Sequence, residues 1–371
     1  MHYSKRAHHE NDPAYKGLHV NEGVDSAPSV NPYRRKNAKR KNYNSSEYFE
    51  GIVSGDIAIL SQAVTLVESS LPEHQLIAQE VIEKCLPFSG KSIRLGITGV
   101  PGAGKSTFIE ALGMHLVRSG RKLAVLAIDP SSERSKGSIL GDKTRMEELS
   151  VAKTAFIRPS PTAGSLGGVA RKTRESIILC EAAGFDTIFV ETVGVGQSET
   201  SVHSMVDFFL LIQLAGAGDE LQGIKRGIME MADGIAINKC DGSNIDKARV
   251  AKSQYQNALQ LFPQHESGWS PEAITCSSID LNGITEVWNM VERYVDFVKL
   301  NHFFDTKRNA QSKYWMYETI DSQLKANFYQ NPKIQKLLFE NEQKVISNEL
   351  SSFIAANKML DKYFSGMKDI Q

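Results

Sequence analysis

The chain has 371 residues, 41% hydrophobic and 23% charged, enough to bury a substantial core in one large domain with appendages or in two domains. Lys plus Arg and Asp plus Glu both number 43, so no global charge argues for nucleic acid or an anionic membrane as partner. The four cysteines, Cys85, Cys180, Cys240 and Cys276, lie far apart, which argues against a disulfide framework or zinc site and fits a reducing compartment.

No apolar run reaches the roughly 18 residues a membrane span needs. The acids Glu10, Asp12, Glu22 and Asp25 argue against a mitochondrial presequence, so a cytoplasmic location is expected. Residues 1–45 are polar and almost free of large aliphatics, the composition of a disordered tail, and the basic cluster at 34–41 reads as part of it. Over 46–90 the pattern turns helical. Ile52 to Val67 suit one amphipathic helix with Gly55 as its candidate break, and Leu76 to Ile82 suit a second that stops at Pro87.

Between residues 91 and 300, short apolar runs alternate with helical periodicity. Strands are expected at 122–129, 154–158, 186–192, 207–214, 234–238 and 273–277, besides the one that leads into the glycine-rich loop. Continuous apolar runs mark strands buried on both faces, hence a mostly parallel sheet in an α/β fold with helices on both sides. Beyond 301 the strands stop. Stretches 312–328 and 332–364 read as helices, the second with a broad apolar stripe that must be covered, either within the chain or as a dimerisation arm.

The most informative stretch is Gly99-Val100-Pro101-Gly102-Ala103-Gly104-Lys105-Ser106-Thr107. It has the G-x-x-x-x-G-K-[ST] pattern between an apolar strand and a periodic helix, the context a phosphate-binding loop requires. Its glycines let backbone N–H groups close round an anion, and the following helix adds its positive end. Lys105 can reach the β- and γ-phosphates, and the Ser106 hydroxyl can take a Mg²⁺ position.

Asn238-Lys239-Cys240-Asp241 follows an apolar strand, as the guanine-reading N-K-x-D pattern does. A carboxylate accepts two hydrogen bonds from guanine N1–H and its exocyclic amine, whereas adenine offers no such pair and would leave Asp241 unsatisfied. GTP is therefore preferred to ATP. Ser277 and Ser278, at the end of the last expected strand, resemble the final guanine-loop motif, in which the second residue is usually alanine.

Three acids are placed to organise Mg²⁺ with Ser106: Asp129 and Glu191 at strand ends, and Asp142 at the opening of a helix. Gly194, just past Glu191, is free to turn its N–H towards the γ-phosphate. A glycine-hinged, charged loop from Gly216 to Gly227 closes another strand and reads as a mobile switch.

The stretches GVPGAGKST, AIDPSSERSKGSILGDKTRM, FIRPSPTAGSLGGVARKTRE, FVETVGVGQSE and GAGDELQGIKRGIMEMADGIAINKCDG resemble the methylmalonyl-CoA mutase-associated GTPases. These are SIMIBI-class G-protein chaperones related to the arginine/ornithine transport kinases. The resemblance covers roughly 48–300 and extends through the C-terminal helices by pattern. It implies a homodimeric P-loop GTPase that associates with an adenosylcobalamin-dependent acyl-CoA mutase, gating cofactor loading and protecting the enzyme. It further implies that Ser106, Asp129, Asp142 and Glu191 organise Mg²⁺ and that Asp219 to Lys225 form a third switch loop. The chain departs from the family at Glu133-Arg134-Ser135-Lys136 and at Ser278.

The expected chemistry is slow GTP hydrolysis to GDP and phosphate by in-line attack of water, with Lys105, Asp142, Glu191, Asp219 and Lys225 as the catalytic set. No residue stands out as a general base, although Gln197 is near, and Arg145 and Lys225 are candidate charge stabilisers. Two rivals remain open. One is a phosphotransferase acting on a transport or substrate-binding protein, for which N-K-x-D is hard to explain. The other is a metal-insertion GTPase, which would call for Cys/His sites that the sequence does not display.

Overall fold

The computed structural model describes residues 43–128, 146–159, 166–192, 198–215 and 226–368. Seven strands form one sheet: β1 (Ile93–Gly99), β2 (Leu123–Ile128), β3 (Ala155–Arg158), β4 (Thr187–Thr192), β5 (Phe208–Leu214), β6 (Gly234–Asn238) and β7 (Glu272–Thr275). Their order is β3-β2-β4-β1-β5-β6-β7 and every described pairing is parallel. Every residue of β2 and β4 is buried, which explains why these strands read as unbroken apolar runs. The expected α/β sheet is present, and the strand foreseen at 234–238 has those limits in the structure.

Helices cover both faces. On one side α1 (Ser45–Val53), α2 (Ile57–Glu68), α3 (Pro72–Cys85), α6 (Leu166–Ala182) and α7 (Ser198–His203) pack on Leu126, Ile188, Val190 and Phe209. On the other, α4 (Lys105–Arg118), the short α5 (Glu147–Val151) and α10 (Ile284–Leu300) enclose Leu95, Ile97, Phe189 and Leu210. Helices α8 (Arg226–Met231) and α9 (Ile245–Leu259) cover Ile235, Ile237 and Ala273.

The helical stretch expected from Ile52 to Val67 is divided at its candidate break, Gly55, into the end of α1 and α2. Gly55, at φ +79°, turns the chain where a side chain would be strained, and the Asp56 carboxylate then accepts from the N–H groups of Ala58 and Ile59 to start α2. A capping box of Asn44 and Glu47 starts α1.

The C-terminal part forms α11 (Phe303–Gln330), α12 (Pro332–Ile346) and α13 (Ser352–Lys368). The single helix expected over 332–364 is interrupted after Ile346. Asn348 adopts φ 60°, and the N–H groups of Glu349 and Leu350 fold back onto the carbonyl of Lys344. Asparagine tolerates the left-handed region, so this break carries neither glycine nor proline as a marker.

The root of α11 is bonded to the sheet end remote from the glycine-rich loop. Arg308 donates from Nε to Asp207 Oδ1 at 2.8 Å and from Nη2 to Asp207 Oδ2 at 2.7 Å, and also reaches the carbonyls of Gly90 and Ser92. Gln311 and Trp315 donate to the carbonyls of Val206 and Ser204. Further along, Phe328 meets Tyr363 of α13 at 5.2 Å between ring centres, while Leu324, Phe339, Ile346, Phe353 and Phe364 are exposed. The outer edge of β7 is closed by Gln256 of α9, whose Oε1 accepts from Ala273 N at 2.9 Å and whose Nε2 donates to the Pro271 carbonyl.

Among the described residues, no helix is long and apolar enough to cross a membrane.

Candidate nucleotide site

Central strand β1 delivers the chain to the glycine-rich loop at the carboxyl edge of the sheet, where open α/β sheets bind ligands. At Gly99 a Cβ would lie 2.3 Å from the Ile212 carbonyl oxygen of β5, so only glycine lets the loop leave the sheet here. Gly104 caps α4 at φ +83°, and a Cβ there would come within 2.9 Å of Asn238 Nδ2. The first turn of α4 then has backbone N–H groups with no partner inside the helix, the usual anion cradle.

Pro101 and Gly102 are exposed, Ala103 is buried, and Thr107 faces outward. Lys105 Nζ donates to the Gly99 carbonyl at 2.8 Å and to that of Val100 at 3.4 Å. Burial pulls its ammonium below the ordinary lysine range, and the carboxylates of Glu191 and Glu199 oppose that shift. The charge is thus held at the loop by acids on two other elements.

Glu191 is buried near the end of β4, with Ile97 of β1 as one register partner and Ala127 of β2 as the other. The Ser106 hydroxyl donates to its Oε1 at 3.4 Å. One hydroxyl and one buried carboxylate, both hard oxygen donors, suit a small divalent cation that keeps phosphate oxygens and waters as its other ligands. Asp129, Asp142, Arg145, Gly194, Gln197, Asp219 and Lys225 lie outside the described residues, as does most of the charged loop from Gly216.

The segment after β6 and the one after β7 are interlocked. Lys239 takes φ 58°, a left-handed conformation that turns the chain sharply between Asn238 and Asp241. The Ser277 hydroxyl donates to Asp241 Oδ2 at 2.7 Å and accepts from the N–H groups of Ile279 and Asp280. Asn238 is buried and two-sided: Nδ2 donates to the Ala103 carbonyl at 2.9 Å, while Oδ1 accepts from Ser278 Oγ at 2.9 Å and Ser278 N at 3.2 Å. Residues 103, 238 and 278, far apart in sequence, form one chain of hydrogen bonds.

Glu199 belongs to none of the sequence motifs that mark the site. It is buried in the first turn of α7 and acts electrostatically on Lys105. Its only sequence signal is its place in the GVGQSE stretch, which gives no hint that it turns inward.

A seven-stranded parallel sheet flanked by helices, a phosphate loop at its centre and an N-K-x-D strand end beside it define a P-loop GTPase. Residues 60–333 match the family described as methylmalonyl Co-A mutase-associated GTPase MeaB, and the chain belongs to that family. A protein named as a probable GTPase of Mycobacterium tuberculosis (strain H37Rv) is 48% identical, over 83% of this chain and 91% of its own. The mouse protein named methylmalonic aciduria type A homolog, mitochondrial, is 44% identical over 85% of this chain and 79% of its own. A crystal structure described as an LAO/AO transport system kinase superposes with a TM-score of 0.69 at 36% identity, covering 86% of this chain and 97% of that one. The protein is accordingly a GTPase whose ligands are GTP and GDP.

Proposed function

We propose that this GTPase is a chaperone of an adenosylcobalamin-dependent acyl-CoA mutase, methylmalonyl-CoA mutase foremost, gating cofactor loading and protecting the enzyme. The observation that carries this reading is the match, across most of the sheet and the base segment, to a family described by its association with that mutase. The name of the mouse relative, methylmalonic aciduria type A homolog, supports it.

In this reading Gly99 to Thr107 cradle the phosphates, and Lys105 leaves the loop carbonyls to neutralise charge on the β- and γ-oxygens. Asp241 reads guanine, held by Ser277, while Asn238, Lys239 and Ser278 complete the base side. Ser106 and Glu191 would hold Mg²⁺, with Asp129 and Asp142 as further acids. When bound, the ion supplies Lewis-acid neutralisation of phosphate charge. Glu191 and Asp142, with Asp219 and Lys225 of the third switch loop, complete the catalytic set. Basal turnover is slow and rises when the partner positions those loops, a change that can be worth about 10³–10⁵ in rate.

The protein acts in the cytoplasm as a homodimer through the exposed apolar face of its C-terminal helices, with neither membrane nor nucleic acid as partner. The test is to titrate purified methylmalonyl-CoA mutase into the GTPase and follow both turnover and nucleotide affinity. Turnover should rise at saturation; no change in either quantity sinks the proposal. The likeness to a structure described as a transport system kinase favours one alternative, phosphoryl transfer to a transport or substrate-binding protein. Stable radiolabel transfer from nucleotide to such a protein would replace the chaperone reading.

A further inference from the structure

Where the last guanine-loop motif usually carries alanine, this chain carries Ser278, and the structure gives its hydroxyl one specific task. The residue is 9% exposed, and its Oγ donates to Asn238 Oδ1 at 2.9 Å beside the bond from its own backbone N–H at 3.2 Å. The Cys276 thiol approaches the same oxygen at 3.8 Å. With donors gathered on Oδ1, only one orientation of the Asn238 amide is satisfied, the one that turns Nδ2 onto the Ala103 carbonyl at 2.9 Å. Ala103 is fully buried and immediately precedes Gly104, which caps α4 at the phosphate loop.

We propose that Ser278 is a positioning residue for nucleotide retention: its hydroxyl locks the Asn238 amide and so ties the guanine-reading segment to the phosphate loop. The hydroxyl acts through Asn238 and makes no contact of its own with the base. A second bond on Oδ1 also lets the Ser278 backbone N–H leave for the purine without freeing the amide to rotate. An alanine here would supply the N–H alone, so engaging the base would loosen the tie. The proposal rests on the reading of Asn238 and Asp241 as the guanine site.

The experiment compares release of fluorescent GDP and of a fluorescent non-hydrolysable GTP analogue from wild-type, Ser278→Ala and Ser278→Thr proteins, well below their melting temperatures. Losing one neutral hydrogen bond in this tie should speed release of both nucleotides alike, by about three- to tenfold. Ser278→Thr, which keeps the hydroxyl, should restore slow release. The guanosine-to-inosine diphosphate affinity ratio should stay at the wild-type value, because inosine lacks only the exocyclic amine that Asp241 reads.

Unchanged release in Ser278→Ala, an effect on one nucleotide only, or no rescue by threonine overturns the proposal. A shifted guanosine-to-inosine ratio overturns it too, since the hydroxyl would then act on the reading of the exocyclic amine and not on the tie between the two segments. Failure of the underlying reading is visible separately, in wild-type protein that does not prefer GDP to ADP.

Discussion

The amide of Asn238 donates to the carbonyl of Ala103 at 2.9 Å, joining the end of β6 to the phosphate loop across 135 positions of sequence. Both groups are buried, so neither can exchange its partner for water. Asn238→Ala would strand the Ala103 carbonyl and the Ser278 hydroxyl together, at about 1–3 kcal/mol for each unsatisfied group. The expected outcome is a lower melting temperature and at least roughly tenfold weaker GDP binding, since about 1.4 kcal/mol is a factor of ten. Thermal denaturation and fluorescent-GDP titration check it; affinity within twofold of wild type would mean that the two segments are independent.

Asp241 is oriented by the Ser277 hydroxyl at 2.7 Å. Asp241→Asn exchanges an acceptor for a donor at the position that would meet the guanine amine. GTP affinity should fall by about a hundredfold, two weakened charge-assisted bonds. Xanthine nucleotides, which carry a carbonyl in place of that amine, should gain. Competition binding with both nucleotides decides it, and an Asp241→Asn protein that still prefers guanine would remove Asp241 from base reading.

At the opposite end of the sheet, Asp207 is 1% exposed and its carboxyl is held below the ordinary range by hydrogen bonding and charge from Arg308, against the opposing effect of burial. Arg308→Met leaves that carboxylate buried without its main partner. A loss of about 3–5 kcal/mol is expected in urea unfolding. The double variant with Asp207→Asn should recover part of it, because no uncompensated charge remains.

His203 lies against Phe209, and burial, with Lys307 and His265 nearby, lowers its pKa from 6.5 to about 4, opposed by Asp233. In the unfolded chain it binds a proton near pH 6.5, whereas the folded protein does so only near pH 4. Its contribution is therefore full above the unfolded value and is lost as pH falls through the window between the two, on the order of 3 kcal/mol in all. Unfolding free energies measured at pH 7.5 and about pH 5 should differ less in His203→Gln than in wild type. Equal slopes would assign the acid sensitivity to other groups.

Phe339 is 67% exposed and Phe353 81%, on helices that follow the firmly bonded root of α11. If these faces meet in a homodimer, Phe339→Glu combined with Phe353→Glu should give a monomer in analytical ultracentrifugation, with basal GTP hydrolysis retained. A wild-type monomer at high concentration would refute the arm.

The sheet was legible because its strands are buried on both faces. LAVLAI and GIAIN carry no alternation that could be mistaken for a surface strand, and turns or helical periodicity separate them. The glycine-rich loop and N-K-x-D stand out in the sequence because the chemistry expected of them demands particular residues at fixed spacing. Other features depend on distance in space. Arg308 meets Asp207 across 101 positions with no local pattern to announce it. Glu199 looks like any acid in a first helical turn until the fold buries it near Lys105. The end of α12 has no sequence marker, because asparagine at φ 60° takes the place usually held by glycine. Ser278 was visible as a departure from pattern, but only the fold shows that its hydroxyl meets Asn238.

The side-chain amide of Gln256 occupies the Ala273 N–H of β7 and the Pro271 carbonyl just before it, two positions that a neighbouring strand would use. A sheet edge stoppered by its own helix cannot template a foreign strand there, the usual first step towards fibrous aggregates. Strand pairing at that edge must therefore first displace Gln256 from two hydrogen bonds.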